Sequence, residues 1–529
     1  MLPGAAAPGD IPPKCKTMCS RPFPPSFLAS TCTSHPRTSR RWAAAALLLG
    51  GILLWPALAS AQPNLILINI DDLGYADISP FGGKVPTPHL DRMAQEGMKL
   101  TSHYAAPVCS PSRAAMMTGC YPKRVLPISG VLFPASAVGL NPAEVTVAEV
   151  VKAQGYATGC IGKWHLGDQP EFLPTAQGFD SYMGIPYSND MGLASEGSKS
   201  NPGQPLPDPK KAKGAQKANP EPETGLKGNS QPPLPMLDGG NVIERVKVEE
   251  HHAFTRQYAE RAVKFIREHQ KEPFFLYLPH NAVHFPLYPG KEFMGKSGAG
   301  LQKDWVLEVD WCVGQVLDTL RELKLDANTL VIFTSDNGGP LNHGADNTPL
   351  RGGKGSTLEG GMRACTLAWW PGKIAPGSQT AAVTAHMDWL PTFAALSGGK
   401  APADRKIDGM DISPLLLGRP DAAGHEVFSF YKGFNLEAVR SGPWKLHLAK
   451  TELYDLDSDI GEAKNVAKDH PDIVAQLQKH AEAMRADLGD KDANAPGVRT
   501  LGRVENPQPL IDSAGHVRPG FDGVGKKLP

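Results

Sequence analysis

The sequence predicts an α/β protein. It reads as a large mixed, mainly parallel sheet between helices, followed by a small C-terminal antiparallel sheet with a helix. Two observations carry this. The apolar runs Asn64–Ile70, Phe274–Leu278 and Thr329–Phe333 are short and apolar on both faces, as buried parallel strands are, and amphipathic helices separate them. Past Gly418 the pattern changes to short alternating segments, as in an antiparallel sheet.

The chain has 529 residues, 41% hydrophobic and 20% charged, enough for a large core and more than one domain. Basic and acidic residues balance at 54 each. No basic stripe of the kind that nucleic acid requires is present. Trp42–Ala61 is an apolar run after Arg40-Arg41 that ends in small-x-small patterns, so residues 1–61 read as a leader with a signal peptide. Met18 is an alternative start, Sec export is favoured over Tat, and no stable membrane span is expected after cleavage. The expected location is exported: periplasmic, secreted or lysosome-like, depending on source. Five cysteines follow the leader, Cys109, Cys120, Cys160, Cys312 and Cys365, an odd number that leaves at least one unpaired.

Taken in order, the strand Asn64–Ile70 runs into Asp71-Asp72, carboxylates at the end of a strand where open α/β sheets bind ligands. Thr87-Pro88 opens a helix carrying Leu90, Met93, Ala94 and Met98. Cys109-Ser110-Pro111-Ser112-Arg113 then places a thiol, two hydroxyls and a guanidinium at a helix start, facing any anion near residue 109. A helix from Asn141-Pro142 to Gln154 leads to the strand Ala157–Ile161 and on to Gly162-Lys163-Trp164-His165. Residues 195–235, rich in Pro, Gly, Lys and Asn, read as a surface insertion at the rim of the pocket. A helix over Val248–Gln270, the strand Phe274–Leu278 and a helix over Trp305–Leu323 follow. The strand Thr329–Phe333 ends in Asp336-Asn337, whose oxygens, with those of Asp71-Asp72, suit calcium or magnesium.

The string Cys109-x-Pro111-Ser112-Arg113 and the stretch Gly155–His165 resemble, in order, the two signatures of the type I sulfatases. That resemblance implies an alkaline-phosphatase-like sandwich and, among family members, a likeness to arylsulfatase and N-acetylgalactosamine-6-sulfatase. It also implies that Cys109 is oxidised to Cα-formylglycine by a formylglycine-generating enzyme or an anaerobic sulfatase-maturating enzyme. By the same resemblance Asp71, Asp72, Asp336, Asn337 and residue 109 hold Ca2+, with Mg2+ as an alternative. Arg113 and Lys163 steady residue 109, while Lys163, Ser188, His284 and Lys354 bind a sulfated small molecule or glycan. His284 and Lys354 serve the leaving oxygen, and His165 takes the proton whose removal expels sulfate. Lys354 lies in the glycine-bounded loop Leu350–Arg363, and His284 in a His-aromatic-Pro string; His280 is expected to be structural. The implied reaction is hydrolysis of aryl or glycan sulfates through a formylglycine-sulfate intermediate. Two alternatives stand beside it: a phosphodiesterase or phosphonate monoester hydrolase on the same fold, and an inactive exported glycan-binding protein. The expected organisation is a catalytic domain over 62–418, a small α+β subdomain over 419–490 and a loosely packed tail over 491–529.

Overall fold

A computed structural model describes residues 62–207 and 222–522; the leader lies outside them. The central strand is Asn64–Ile70, wholly buried, and it pairs in parallel with Phe274–Pro279 on one side and Thr329–Ser335 on the other. Ala157–Ile161 and then Ser181–Gly184 extend the parallel block beyond Phe274–Pro279. Beyond Thr329–Ser335 lie Arg363–Trp369, antiparallel to its neighbours, and Met98–Tyr104, while the opposite edge is the antiparallel hairpin Leu234–Asp238/Asn241–Val246.

Strand alternation divides the central side chains between two layers. Ile66, Ile68 and Ile70 pack with the helices Pro88–Glu96, Phe254–Glu268 and Leu301–Glu322. Leu65 and Leu67 pack on the other face with Cys109–Thr118, Val147–Lys152 and Trp389–Leu396. The small sheet runs Val427–Lys432, Asn435–Ser441, Trp444–His447 and Glu452–Asp455, every pair antiparallel, and the helix Pro471–Leu488 lies on it through Leu477, Ala481 and Leu488. It is fastened to the large sheet by Tyr104, whose ring lies 5.0 Å from Phe428. Lys445 adds a buried tie, bonding Glu359 at 2.8 Å and Glu462 at 3.0 Å.

Several boundaries differ from the sequence reading. The first helix stops at Glu96, and Met98 opens a strand. Gly97 is required between them, because a Cβ there would lie 2.2 Å from the Ala368 carbonyl oxygen. The helix expected from Asn141 begins at Val147, since Thr146 and Glu149 form a reciprocal capping box that fixes the start there. The long helix at 248–270 is two, Val248–His251 and Phe254–Glu268. The insertion is not wholly a surface loop. Residues 223–226 bond the backbone of 133–137, and Leu234 is fully buried in the edge hairpin, whose turn residues Gly239 and Gly240 have φ of 59° and 85°. The described part of the segment after Asp490, up to 522, is likewise not loose: Gly502–Arg503 pairs with Val138–Gly139, and Leu510 and Ile511 are fully buried in the second core layer.

Candidate active site

Parallel register assembles the site. Ile70 lies opposite Ser335, so Asp71-Asp72 and Asp336-Asn337 emerge side by side. The turn after Ala157–Ile161 brings in Lys163 and His165 from the strand beyond Phe274–Pro279. These turns are pressed together as closely as backbone allows: a Cβ on Gly162 would sit 1.9 Å from the Pro279 oxygen, and one on Gly184 1.8 Å from the Gly162 oxygen. Asp72 and His165 themselves hold positive φ, 63° and 65°, so both side chains leave the backbone at unusual angles.

Cys109 is the first residue of its helix, with Val108 as extended N-cap, and its Sγ donates to Asp71 Oδ1 at 3.2 Å. Arg113, one turn on, is completely buried. Its Nε and Nη2 reach Asp336 Oδ2 at 2.9 and 2.8 Å, and Nη2 lies 3.5 Å from Asp71 Oδ2. Lys163 Nζ pairs with Asp71 and donates to Ser188 Oγ at 3.1 Å. Ser188 Oγ lies 3.4 Å from His284 Nδ1, and His284 Nε2 is 3.6 Å from Asp72 Oδ2. Lys354 Nζ closes the ring at 2.7 Å from Asp72 Oδ1. All eleven residues singled out in the sequence therefore lie in this region, His165 reaching it by a different route. Its Nε2 bonds the Leu132 carbonyl at 2.9 Å, while its Nδ1 is buried with no partner among the described residues. His280 stands apart, its Nε2 3.5 Å from Cys312 Sγ and its ring against Tyr258, in keeping with a structural role. All five cysteines of the described chain are free and buried.

The electrostatics follow from burial and neighbours. Burial alone would raise the Asp71 pKa, yet Lys163, His284, Arg113 and Lys354 draw it well below the usual range. Asp336 is pushed up to about 6, first by burial and then by the Asp71 charge. Burial, with Asp336 and Asp71 next to it, drives the Cys109 thiol well up, so as a thiol it stays protonated. Burial, Lys163 and Arg113 push His165 well down, leaving a neutral imidazole. His284 is lowered too, by burial and then Lys354.

Ligand atoms of Asp71, Asp72, Cys109 and His284 all lie within 4.8 Å of one another. Asn337 Oδ1, beside them, is buried without a partner while its Nδ2 donates to Asp72 at 2.7 Å. Crowded carboxylates and an unpartnered amide oxygen are hard donors, and they fit a hard divalent cation. In front of Cys109 lies a cavity of about 340 Å³ bordered by His165, Ser188, His284 and Lys354. Two further charged lining residues, Asp190 and Lys227, are given no role in the sequence reading. Asp190 ends the string 184–190, of which only the serine is singled out, and Lys227 lies within the insertion, with no pattern that sets it apart from ordinary surface charge.

A pocket lined by Lys354 and His284, with the buried cations Arg113 and Lys163 around the residue at the helix start, suits the ester of a tetrahedral oxyanion, on the frame of the alkaline-phosphatase-like hydrolases. The comparisons with known proteins narrow that class. The family model described as Sulfatase matches residues 63–399. Arylsulfatase A of Homo sapiens is 38% identical over 489 residues, covering 83% of this chain and 90% of that protein. N-acetylgalactosamine-6-sulfatase of Mus musculus is 36% identical over 422 residues, covering 76% and 75%. Among solved structures, Ps i-CgsB in complex with k-i-k-neocarrahexaose superposes with a TM-score of 0.67 at 31% identity, covering 80% of this chain and 92% of that one. The chain belongs to the sulfatase family, and it is a sulfuric ester hydrolase.

Proposed function

We propose that this enzyme removes sulfate from an aryl or glycan ester with residue 109, matured from cysteine to formylglycine, as its nucleophile. The observation that carries the reading is the position of Cys109, whose Sγ is 3.2 Å from Asp71 at a cavity bordered by Ser188, His284 and Lys354, with Lys163 bonded to Ser188. When present, the formylglycine hydrate supplies two hydroxyls on one carbon, one to attack sulfur and one whose deprotonation lets the ester bond to that carbon break. Asp71, Asp72, Asp336 and Asn337, with residue 109, would hold calcium, or magnesium in its place, which supplies positive charge against the sulfate oxygens. The formylglycine would be installed by a formylglycine-generating enzyme or an anaerobic sulfatase-maturating enzyme, on a chain exported by its leader.

The remaining work falls to the chain's own side chains. Lys163, Ser188, His284 and Lys354 bind the sulfate oxygens, neutralising the anion before the nucleophile approaches. Arg113 and Lys163 hold residue 109 and its carboxylate neighbours in place. His284 and Lys354 deliver a proton or positive charge to the leaving oxygen, a contribution of about 10²–10⁴-fold for a positioned acid. His165, neutral and with a free buried Nδ1, accepts the proton whose removal releases sulfate. Mass spectrometry of the tryptic peptide that ends at Arg113 tests the nucleophile. A formylglycine fraction that rises in step with specific activity is expected; full activity with only an intact thiol would overturn the assignment.

A further inference from the structure

The cavity in front of Cys109 has a cation that the sulfate site does not use. Lys227 comes from the insertion and is carried on residues 223–226, whose backbone bonds to 133–137. Its ammonium lies 4.8 Å from the centre of the Phe133 ring, and both residues line the cavity with Cys109 and His284. Every other lysine or arginine ringing Cys109 is neutralised: Arg113 by Asp336, Lys163 by Asp71 and Lys354 by Asp72. Lys227 has no carboxylate partner among the described residues, and an aromatic face holds its ammonium without cancelling its charge. On the same wall Ser129 borders both this cavity and an adjoining one of about 660 Å³, so the Lys227 side leads to space for a bulky alcohol.

We propose that Lys227, seated on Phe133, is a specificity-determining residue that binds a second anionic group on the alcohol part of the substrate. The favoured substrates are then sulfate esters of an alcohol that itself bears a carboxylate or another sulfate. A neutral aryl sulfate leaves the Lys227 contact unmade. This inference rests on the reading of the Cys109 cavity as the sulfate site.

The test uses the mature enzyme and measures kcat/KM on matched pairs. One pair is a 6-sulfated hexosamine–uronic acid disaccharide with its carboxylate free or methyl-esterified; the other is a hexosamine 6-sulfate with and without a second sulfate. The wild type should prefer the more anionic member of at least one pair by roughly tenfold or more, which is what one charge-assisted hydrogen bond contributes. Whichever pair shows it tells carboxylate from sulfate. Lys227→Gln should abolish the preference, Lys227→Arg should restore it, and raised salt should weaken it. Equal rates within both pairs, or a preference that survives in Lys227→Gln, would overturn the role. Loss of turnover on 4-nitrophenyl sulfate as well, in correctly matured wild-type enzyme, would instead count against the sulfate site itself.

Discussion

His165 combines a left-handed backbone with an imidazole that has one nitrogen tied to Leu132 and the other buried and free. A neutral imidazole so placed suits the role of base proposed for it better than that of a counter-charge. Replacing it with alanine should lower steady-state turnover by about 10²–10⁴-fold. With an activated aryl sulfate the variant should still release a rapid burst of phenol in a quenched-flow trace; a trace without a burst would leave His165 as a sulfate-binding group only. Burial and the charges of Lys163 and Arg113 lower its pKa, so the base form persists as pH falls through 6.5, the ordinary histidine value. The acid limb of kcat should accordingly lie below that pH in the wild type. Asp336 differs in kind, since it meets both Arg113 and the neighbouring carboxylates. On the proposed metal site, Asp336→Ala should lose the divalent cation by elemental analysis together with turnover; wild-type activity in metal-free protein would remove the metal assignment.

At the scale of elements, the strand ends place the chemistry, and their glycines set how closely they meet. Gly184 has φ of 156°, and a Cβ there would strike the Gly162 carbonyl oxygen. Gly184→Ala should therefore push the turn bearing Lys163 away, destabilising by about 2 kcal/mol or more and lowering activity, as thermal unfolding and a kinetic assay would show. The buried parallel strands were readable because each is an unbroken apolar run, and the helix Pro471–Leu488 because proline opens it and Gly489 closes it. Met98–Tyr104 was not readable. It reads MKLTSHY, and its polar members are satisfied only by distant partners, such as His103 by Thr384 and His386. The same reasoning separates the site residues. Asp71, Arg113 and Lys354 stand in strings whose order carries meaning, whereas Lys227 and Asp190 acquire theirs from contacts that the chain makes only once folded.

Over the whole molecule, the small sheet is joined to the large one by buried charge. Glu359 takes Lys445 at 2.8 Å and Arg363 at 3.1 Å, and Lys445 also reaches Glu462. Although burial opposes it, Lys445, Arg363 and Arg440 hold the Glu359 pKa down to about 2. A carboxylate lowered from 4.5 to about 2 gives stability that is complete above pH 4.5 and lost as pH falls towards 2. Lys445→Met, which leaves two acids without their shared cation, should cost about 3–5 kcal/mol and move acid unfolding to higher pH, measurable by circular dichroism. An unchanged acid midpoint would mean that the two sheets are held together by apolar packing alone.

The burial of Cys109 has a consequence in time. The residue is 2% exposed, beneath a cavity whose walls come from positions as far apart in sequence as Val108 and Lys354. No second enzyme could close around that thiol in the finished molecule. The enzymatic oxidation proposed for it would therefore have to precede closure of the sheet. Leu510 and Ile511, much further along the chain, complete the core layer that includes the helix of Cys109. On the proposed maturation, the interval open to it would close when the segment carrying Leu510 and Ile511 docks, and a chain that docked it first would fold without its nucleophile.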